Sequence, residues 1–451
     1  MSTSGRPNIL FFFSDQQRWD TVGAYGQPLD ITPNLDRMAA EGVLFEQAFS
    51  CQPVCGPARA SLQTGKYASA VGCPTNHRRL PVDEPNLAGW LSASGYEVGY
   101  IGKWHLASCG PRDGNDDYRT RPVPPHLRGG YKDYWIASDV LEFTSHSYDG
   151  YMFDAEGNKV EMPEGRYRAD WQTDLVLDYL ESRTGGQPFY LMVSYIEPHH
   201  QNDHHCYEGP KGSKQRWKDF VVPGDLVDTE GDWRENYPDY LGCCHSLDAN
   251  LGRIRSKLEE LGLDDNTLIV YTSDHGSHFC TRNREYKRSC HDGCIHIPMV
   301  LCGPGFGGGR RVVDKPVSLI DVPATILQAA GCELPEDIHS RPMQWLLDDE
   351  AAKRWPDEAY LEISESQVGR AIRTLKWTYS VRAPEPDQAS GRSEVYVEDY
   401  LYDNEADPHQ RVNLVRDPSY AEVRSTLRDR LIGRMLQAGD IKPTIHPAPE
   451  D

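Results

Sequence analysis

The chain has 451 residues, of which 38% are apolar and 25% charged, with a formal net charge of −21 at pH 7. That acidity excludes nucleic acid and anionic membrane surfaces as partners, because both need basic surface; an anionic small molecule remains possible where a site carries its own positive charge. No apolar run approaches the roughly 20 residues of a membrane helix, and the length suits one large α/β core with a smaller appendage.

At the N-terminus, Met1 to Pro7 leads straight into an apolar run without the longer apolar region and cleavage site of a signal peptide. The expectation is a cytoplasmic protein, and a secreted chain that had lost its leader would read the same way. Twelve cysteines in a chain this long do not make a disulfide scaffold, so mainly buried, free thiols are expected.

Residues 8–14 are a short apolar run ending in polar residues, which predicts a buried strand. A helix over 34–42 stops at Gly42, and one over 87–94 stops at Gly95. Residues 96–101 read as a strand, 171–182 as a helix and 189–195 as a strand. Leu247, Leu251, Ile254, Leu258 and Leu261 recur on one helical face, with Gly262 as the stop. Residues 267–273 form a β-rich strand. This alternation predicts an α/β fold with a mostly parallel sheet covered by helices on both faces. Ligands in such folds gather at the carboxyl ends of strands, where Asp15-Gln16 and Asp274-His275 stand. Composition shifts near 346–358; strands over 371–381 and 394–402 and a helix over 420–438 follow. The division is therefore a catalytic unit, 1–355, and a smaller α+β subdomain, 356–451. Polar stretches at 108–128 and 202–230 read as long excursions, a frequent place for function.

Five groups of residues carry chemistry. Cys55-Gly56-Pro57-Ala58-Arg59, followed by Leu62 and Thr64-Gly65, is a Cys-x-Pro-x-Arg motif with an extension, whereas Cys51 has no arginine at the matching offset. Taken alone, Cys55 is also what a cysteine buried beside a helix start looks like. Asp15-Gln16 and Asp274-His275 are polar pairs at two strand ends, and each alone could be a turn or cap. Gly95-Tyr96 and Gly102-Lys103-Trp104-His105 end a strand on a lysine and a histidine. Glu197-Pro198-His199-His200 follows a strand, and an imidazole there suits proton transfer near neutral pH. Lys287 precedes Cys290, His291, Cys294 and His296, which invite a zinc reading, but zinc motifs usually come as two separated pairs and this spacing is crowded. His204 and His205 either line a pocket or sit in a solvated loop.

Together these motifs resemble the type I sulfatases, the formylglycine-dependent members of the alkaline-phosphatase-like superfamily. The resemblance runs from Asp15 to Leu401-Tyr402-Asp403. It implies the alkaline-phosphatase-like fold with a smaller C-terminal subdomain. It implies that a formylglycine-generating enzyme oxidises Cys55, and that Asp15, Gln16, Asp274 and His275 hold Ca2+, with Mg2+ or another divalent ion as the alternative. In that family's pattern Arg59 steadies the hydrated aldehyde, Lys103 and Lys287 contact sulfate, His105 contacts the formylglycine and His199 stands near the leaving oxygen. One hydroxyl of the hydrate attacks sulfur and the second later expels sulfate, which splits a hard step into two. Gln63, His291-Asp292 and His296 depart from the family pattern. The implied partner is a sulfated small molecule or saccharide, with His77, Arg78, His200, His291 and His296 as candidate contacts. Three alternatives stand beside this reading. A phosphonate or phosphate ester hydrolase on the same scaffold is disfavoured by Lys103 and His105. A mutase or transferase with a Ser or Thr nucleophile is disfavoured by the cysteine motif. A non-catalytic sulfate-binding protein would keep Cys55 unmodified.

Overall fold

β1 (Asn8–Asp15) is buried along its whole length. Side chains alternate across a strand, so Ile9, Phe11 and Phe13 enter one hydrophobic core while Leu10 and Phe12 enter another. That two-sided burial explains the unbroken apolar run. The protein is described here from a computed structural model covering residues 5–110, 114–183 and 186–449. Residues 1–4 of the N-terminal stretch and 111–113 of the excursion at 108–128 lie outside these described residues.

The elements follow the expected alternation. After β1 come α1 (Pro33–Glu41), β2 (Val43–Phe45), α2 (Cys55–Thr64), α3 (Leu87–Ala93), β3 (Glu97–Lys103), β4 (Tyr134–Ser138), β5 (Ser145–His146), β6 (Asp149–Phe153), β7 (Lys159–Glu161), α4 (Arg168–Glu181), β8 (Phe189–Pro198), α5 (Trp233–Glu260), β9 (Thr267–Ser273), β10 (Met299–Cys302) and β11 (Arg311–Val313). The strand order is β11-β2-β10-β9-β1-β8-β3-β4-β6-β5, with β7 on β6. β9, β1, β8, β3 and β4 are mutually parallel. Toward the flanks, β10 runs antiparallel to both β9 and β2, and β6 antiparallel to β4, β5 and β7. The central strands are parallel, as expected, and the antiparallel flanks make the sheet as a whole mixed. The segment joining β9 to β10 explains one flank: it holds site residues and one short helix, Asp292–Ile295, rather than the long crossover helix usual between parallel strands. α5 and α4 cover one face through Leu247, Leu251, Ile254, Val176 and Leu180, while α2 and α3 cover the other through Ala58, Leu62, Leu87 and Leu91.

The C-terminal part builds a second sheet from β12 (Glu358–Ile363), β13 (Gly369–Thr374), β14 (Trp377–Arg382), β15 (Val395–Asp403) and β16 (Thr444–His446), with α6 (Ala421–Gln437). The stretch expected as one strand over 371–381 is two strands of a hairpin. Its turn is only Leu375-Lys376, and the Trp377 N–H donates to Thr374 Oγ1 at 2.7 Å. So short a turn scarcely interrupts the β-like pattern. Among the described residues, no helix is long and apolar enough to cross a membrane. Cys51, Cys243, Cys244, Cys290 and Cys294 are buried free thiols, as expected.

The two sheets are locked together near the site. Phe49, Cys290, Cys294 and Ile295 share one apolar cluster with Ala359, Leu361, Ile363 and Ala371. Beside it, Arg373 Nε and Nη2 donate to the two oxygens of Asp292 at 2.9 and 2.8 Å, and Gln410 Nε2 adds a third bond to that carboxylate at 3.0 Å. Arg373→Ala would leave a buried carboxylate without its cation. The expected cost is about 3–5 kcal/mol, read as an earlier unfolding midpoint in urea; an unchanged midpoint would show that this clamp does not hold the sheets together.

Candidate active site

The site forms because β1 and β9 are parallel neighbours with Ser14 opposite Ser273. Their carboxyl ends therefore set Asp15-Gln16 beside Asp274-His275. Gln16 takes a left-handed backbone, φ 72°, and its N–H donates to Asp274 Oδ1 at 3.0 Å. α2 starts at Cys55 and is buried along its length. The Gly56 N–H donates to Asn76 Oδ1 at 2.9 Å, and a Cβ on Gly56 would collide with that same oxygen. Gly65, in the left-handed region, closes the helix.

Cys55 Sγ lies 2.8 Å from Lys287 Nζ, 3.2 Å from His275 Nε2 and 3.4 Å from Asp15 Oδ1. Burial and Asp15 push this thiol up, yet Lys287, Lys103 and His275 outweigh them and bring it down to about 7. Burial with no such partners pushes Cys51 up to about 12. The contrast marks position 55 as a place built to hold negative charge.

One helical turn beyond Cys55, Arg59 is braced through both terminal nitrogens of its guanidinium. Its Nη2 is 3.0 Å from Asp15 Oδ2 and 3.6 Å from Asp274 Oδ2, and Nη1 donates to the Lys103 carbonyl and to Ser194 Oγ. Lys103, at the end of β3, is fully buried, with Nζ 2.9 Å from Asp15 Oδ2 and 3.1 Å from Glu142 Oε1. Burial would raise Asp15, but Lys103 and Arg59 hold it well below the usual carboxylate range. His105 has φ 59°, and its buried Nδ1 has no hydrogen-bond partner. Burial and Lys103 lower it to about 4, so it is neutral and can accept a proton. His199 is also neutral, because burial, Lys287 and His200 lower it well below its ordinary value. Its Nδ1 faces the His200 carbonyl at 2.6 Å and must be the protonated nitrogen; Nε2 then accepts from Lys287 Nζ at 3.2 Å. Lys287 thus touches Cys55, His199 and His275 at once.

The predicted metal residues fit a divalent cation. Asp15, Cys55, Asp274 and His275 bring ligand atoms together in a fully buried group. Asp274 Oδ2 and Gln16 Nε2 are buried without hydrogen-bond partners. Burial, Asp15 and Cys55 raise Asp274 to about 6. Two buried carboxylates facing each other call for a cation, and oxygen donors suit a hard one. Gln16 Oε1 lies 3.3 Å from His200 Nδ1, which puts His200 at this cluster too.

Of the predicted substrate contacts, His77 and Arg78 follow Asn76, whose side chain accepts from the first turn of α2. His77 has φ 60°, and Arg78 donates to the Ala389 carbonyl at 2.8 Å, so a C-terminal loop meets the catalytic unit here. His291 and His296 go elsewhere. His291 is buried against Tyr402, with Nε2 3.0 Å from the phenol oxygen, and it borders a separate cavity shared with Trp19, Arg282 and His409. His296 stacks on Trp19 and faces the Glu46 carbonyl at 2.9 Å. Both contribute to packing between the loop before β10 and its neighbours. Cys290, His291, Cys294 and His296 do not converge as ligands either: Cys290 Sγ faces Ser380 and Cys294 Sγ faces Tyr286. Two functional residues escaped the sequence reading. Glu142 holds Lys103, and Asp139 accepts three backbone N–H bonds, from Leu106, Ala107 and Ser108, fixing the loop that carries His105. Neither sits in a motif, and no signal in the sequence marks them.

Comparison with known proteins identifies the family. A family model described as sulfatase matches residues 7–332, and one described as the C-terminal part of N-sulphoglucosamine sulphohydrolase matches residues 284–437. An ulvan-active sulfatase of Formosa agariphila is 29% identical, with 96% of this chain and 82% of that protein covered. An uncharacterized sulfatase of Escherichia coli is 30% identical, with 96% and 88% covered. An N-acetylglucosamine-6-O-sulfatase of Bacteroides thetaiotaomicron is 25% identical, with 97% and 88% covered. A solved structure titled for the metabolism of multiple glycosaminoglycans by Bacteroides thetaiotaomicron superposes with TM-score 0.80 at 25% identity, covering 97% of each chain. A phosphonate monoester hydrolase of Agrobacterium radiobacter shares the fold, with TM-score 0.71 at 22% identity and 96% of each chain covered. A buried cysteine ringed by cations, on a scaffold matched over most of its length, makes the assignment: the chain belongs to the sulfatase family of the alkaline-phosphatase-like superfamily and is a sulfuric ester hydrolase.

Proposed function

We propose that the protein hydrolyses a sulfate ester of a carbohydrate, using a formylglycine made from Cys55 and a divalent cation, Ca2+ or Mg2+, held by Asp15, Gln16, Asp274 and His275. The observation that carries this reading is the position of Cys55 Sγ, within 3.4 Å of Asp15, His275 and Lys287 at once. A hydrated formylglycine supplies one oxygen for attack and a second that can expel sulfate; the cation supplies Lewis-acid polarisation of a sulfuryl oxygen.

The chain's own residues do the rest. Lys103 and Lys287 place positive charge near position 55, where the transferring group carries negative charge. Arg59 keeps Asp15 ionised and oriented, which keeps the cation site formed. Lys287, hydrogen-bonded to His199 Nε2, provides with it the proton for the departing alcohol oxygen. Neutral His105, whose backbone lies against Gly56, is the acceptor for the proton lost in the second step.

The carbohydrate rests on the relatives. Those named for ulvan and for N-acetylglucosamine-6-sulfate cover nearly all of this chain. The test is a comparison of kcat/KM on sulfated mono- and disaccharides, 4-nitrophenyl sulfate and a phenyl phosphonate ester. A sulfated sugar is expected to rank first, and activity to vanish in chelator and return with Ca2+ or Mg2+. A phosphonate ranking first would overturn the substrate assignment; full activity in chelator would overturn the cation.

A further inference from the structure

Away from the catalytic cluster, His146, Asp203 and His204 each bring one ligand atom to within 4.8 Å of the others. His146 ends β5, whereas Asp203 and His204 lie in the excursion that follows β8. His146 Nε2 is 3.0 Å from Asp203 Oδ2, and His204 Nε2 is 4.0 Å from the same oxygen. The two rings are stacked, with centroids 4.6 Å apart and planes 8° from parallel.

The outer partners are informative. His146 Nδ1 lies 3.2 Å from Asp149 Oδ1, and His204 Nδ1 lies 2.5 Å from Glu208 Oε1. Glu208 accepts in turn from Ser147 Oγ at 2.6 Å, and Asp203 Oδ1 accepts from Gln201 Nε2 at 2.9 Å. A carboxylate on each Nδ1 holds a proton there, so each Nε2, on the Asp203 side of its ring, is the nitrogen free to give its proton up to a metal ion. Without a metal, a proton on His146 joins the group, and Asp203 and Asp149 raise this imidazole above its ordinary value; a metal ion would take that proton's place between the two imidazoles and Asp203. Each ligand is also oriented by a partner of its own, as metal ligands usually are.

We propose that His146, Asp203 and His204 form a second metal site, for a transition ion of borderline softness, Zn2+ foremost, with the fourth position open to water. The oxygen-rich cluster at Cys55 suits a harder ion, so donor chemistry separates the two sites. The ion would staple the β5–β6 hairpin to the loop after β8. Gln201, which holds Asp203, also donates to the Glu142 carbonyl at 3.0 Å, and Glu142 holds Lys103. The staple is therefore three contacts from the catalytic lysine.

The experiment uses the full chain kept in excess Ca2+ and titrated with Zn2+. Bound zinc is counted by mass spectrometry after gel filtration, and affinity is read by calorimetry. About one zinc per chain is expected in the parent, and a loss of affinity beyond about 10-fold in each of His146→Ala, His204→Ala and Asp203→Asn. Unchanged stoichiometry and affinity in all three variants would overturn the site. So would a parent chain that retains no zinc, leaving an exposed histidine–carboxylate network only. Crystals grown with Zn2+ provide a readout that needs no variant: an anomalous peak between the three side chains supports the site, and its absence refutes it.

Discussion

Cys55→Ala is expected to lower kcat/KM on a sulfate ester by at least about 10^4-fold with little loss of stability. Every polar contact of this side chain is to a group of the site: Lys287, His275 and Asp15. Its removal deletes the proposed nucleophile and leaves the cations in place, so ground-state binding of the sulfate should survive. The variant should bind a sulfated ligand and fail to turn it over. The stability change should stay near 1 kcal/mol, the ordinary size for a small side-chain truncation. Retention of more than a tenth of parent activity in a preparation free of parent enzyme would contradict the assignment of the nucleophile.

Lys103→Ala should damage both activity and stability, for separable reasons. Its ammonium lies between Asp15 and Glu142, both almost wholly buried. Losing a positive donor beside the transferring group costs about 10^2–10^3-fold in kcat. Losing the shared cation of two buried carboxylates costs about 3–5 kcal/mol of stability. The pH dependence identifies the second effect. In the parent, burial tends to raise Glu142, but Lys103, together with weaker contributions that include a backbone hydrogen bond, outweighs it, and the group sits below its ordinary value. Its contribution to stability is therefore present above the unfolded carboxylate range and is lost as pH falls through the folded value. Without Lys103, burial and Asp15 push Glu142 above the unfolded value, and the sign reverses: the variant loses stability as pH rises from about 4 toward 7. Thermal melts at pH 5 and pH 8 read this directly. Adding Glu142→Gln should restore most of the stability and none of the activity. Recovery of both would show that Lys103 serves packing alone.

The residues legible in the sequence are those whose position follows from a strand end or a helix start. Asp15 and Asp274 stand together because their strands are parallel neighbours, and apolar runs followed by acids announce both ends. Cys55 and Arg59 share a helix face one turn apart, so their motif is a geometric statement. Glu142 and Asp139 were not legible, because their roles arise from tertiary structure. The loop after β4 comes over Lys103 only once β3 and β4 have paired. His291 and His296 show the converse. They stand near Lys287 in sequence, yet the loop turns them toward Tyr402 and Trp19, since the C-terminal sheet closes that side. The mixed sheet was hidden for a similar reason: the apolar pattern of a doubly covered strand does not record the direction of its neighbour.

The measurement that bears most directly on the account is the mass of the peptide containing Cys55, taken from the full chain co-expressed with a formylglycine-generating enzyme. The account predicts a mass decrease at position 55 matching conversion of the thiol to the aldehyde, with turnover of a sulfate ester rising in proportion to the converted fraction. An intact cysteine at position 55, in a preparation where a control sulfatase is fully converted and this protein still hydrolyses the ester, would contradict it.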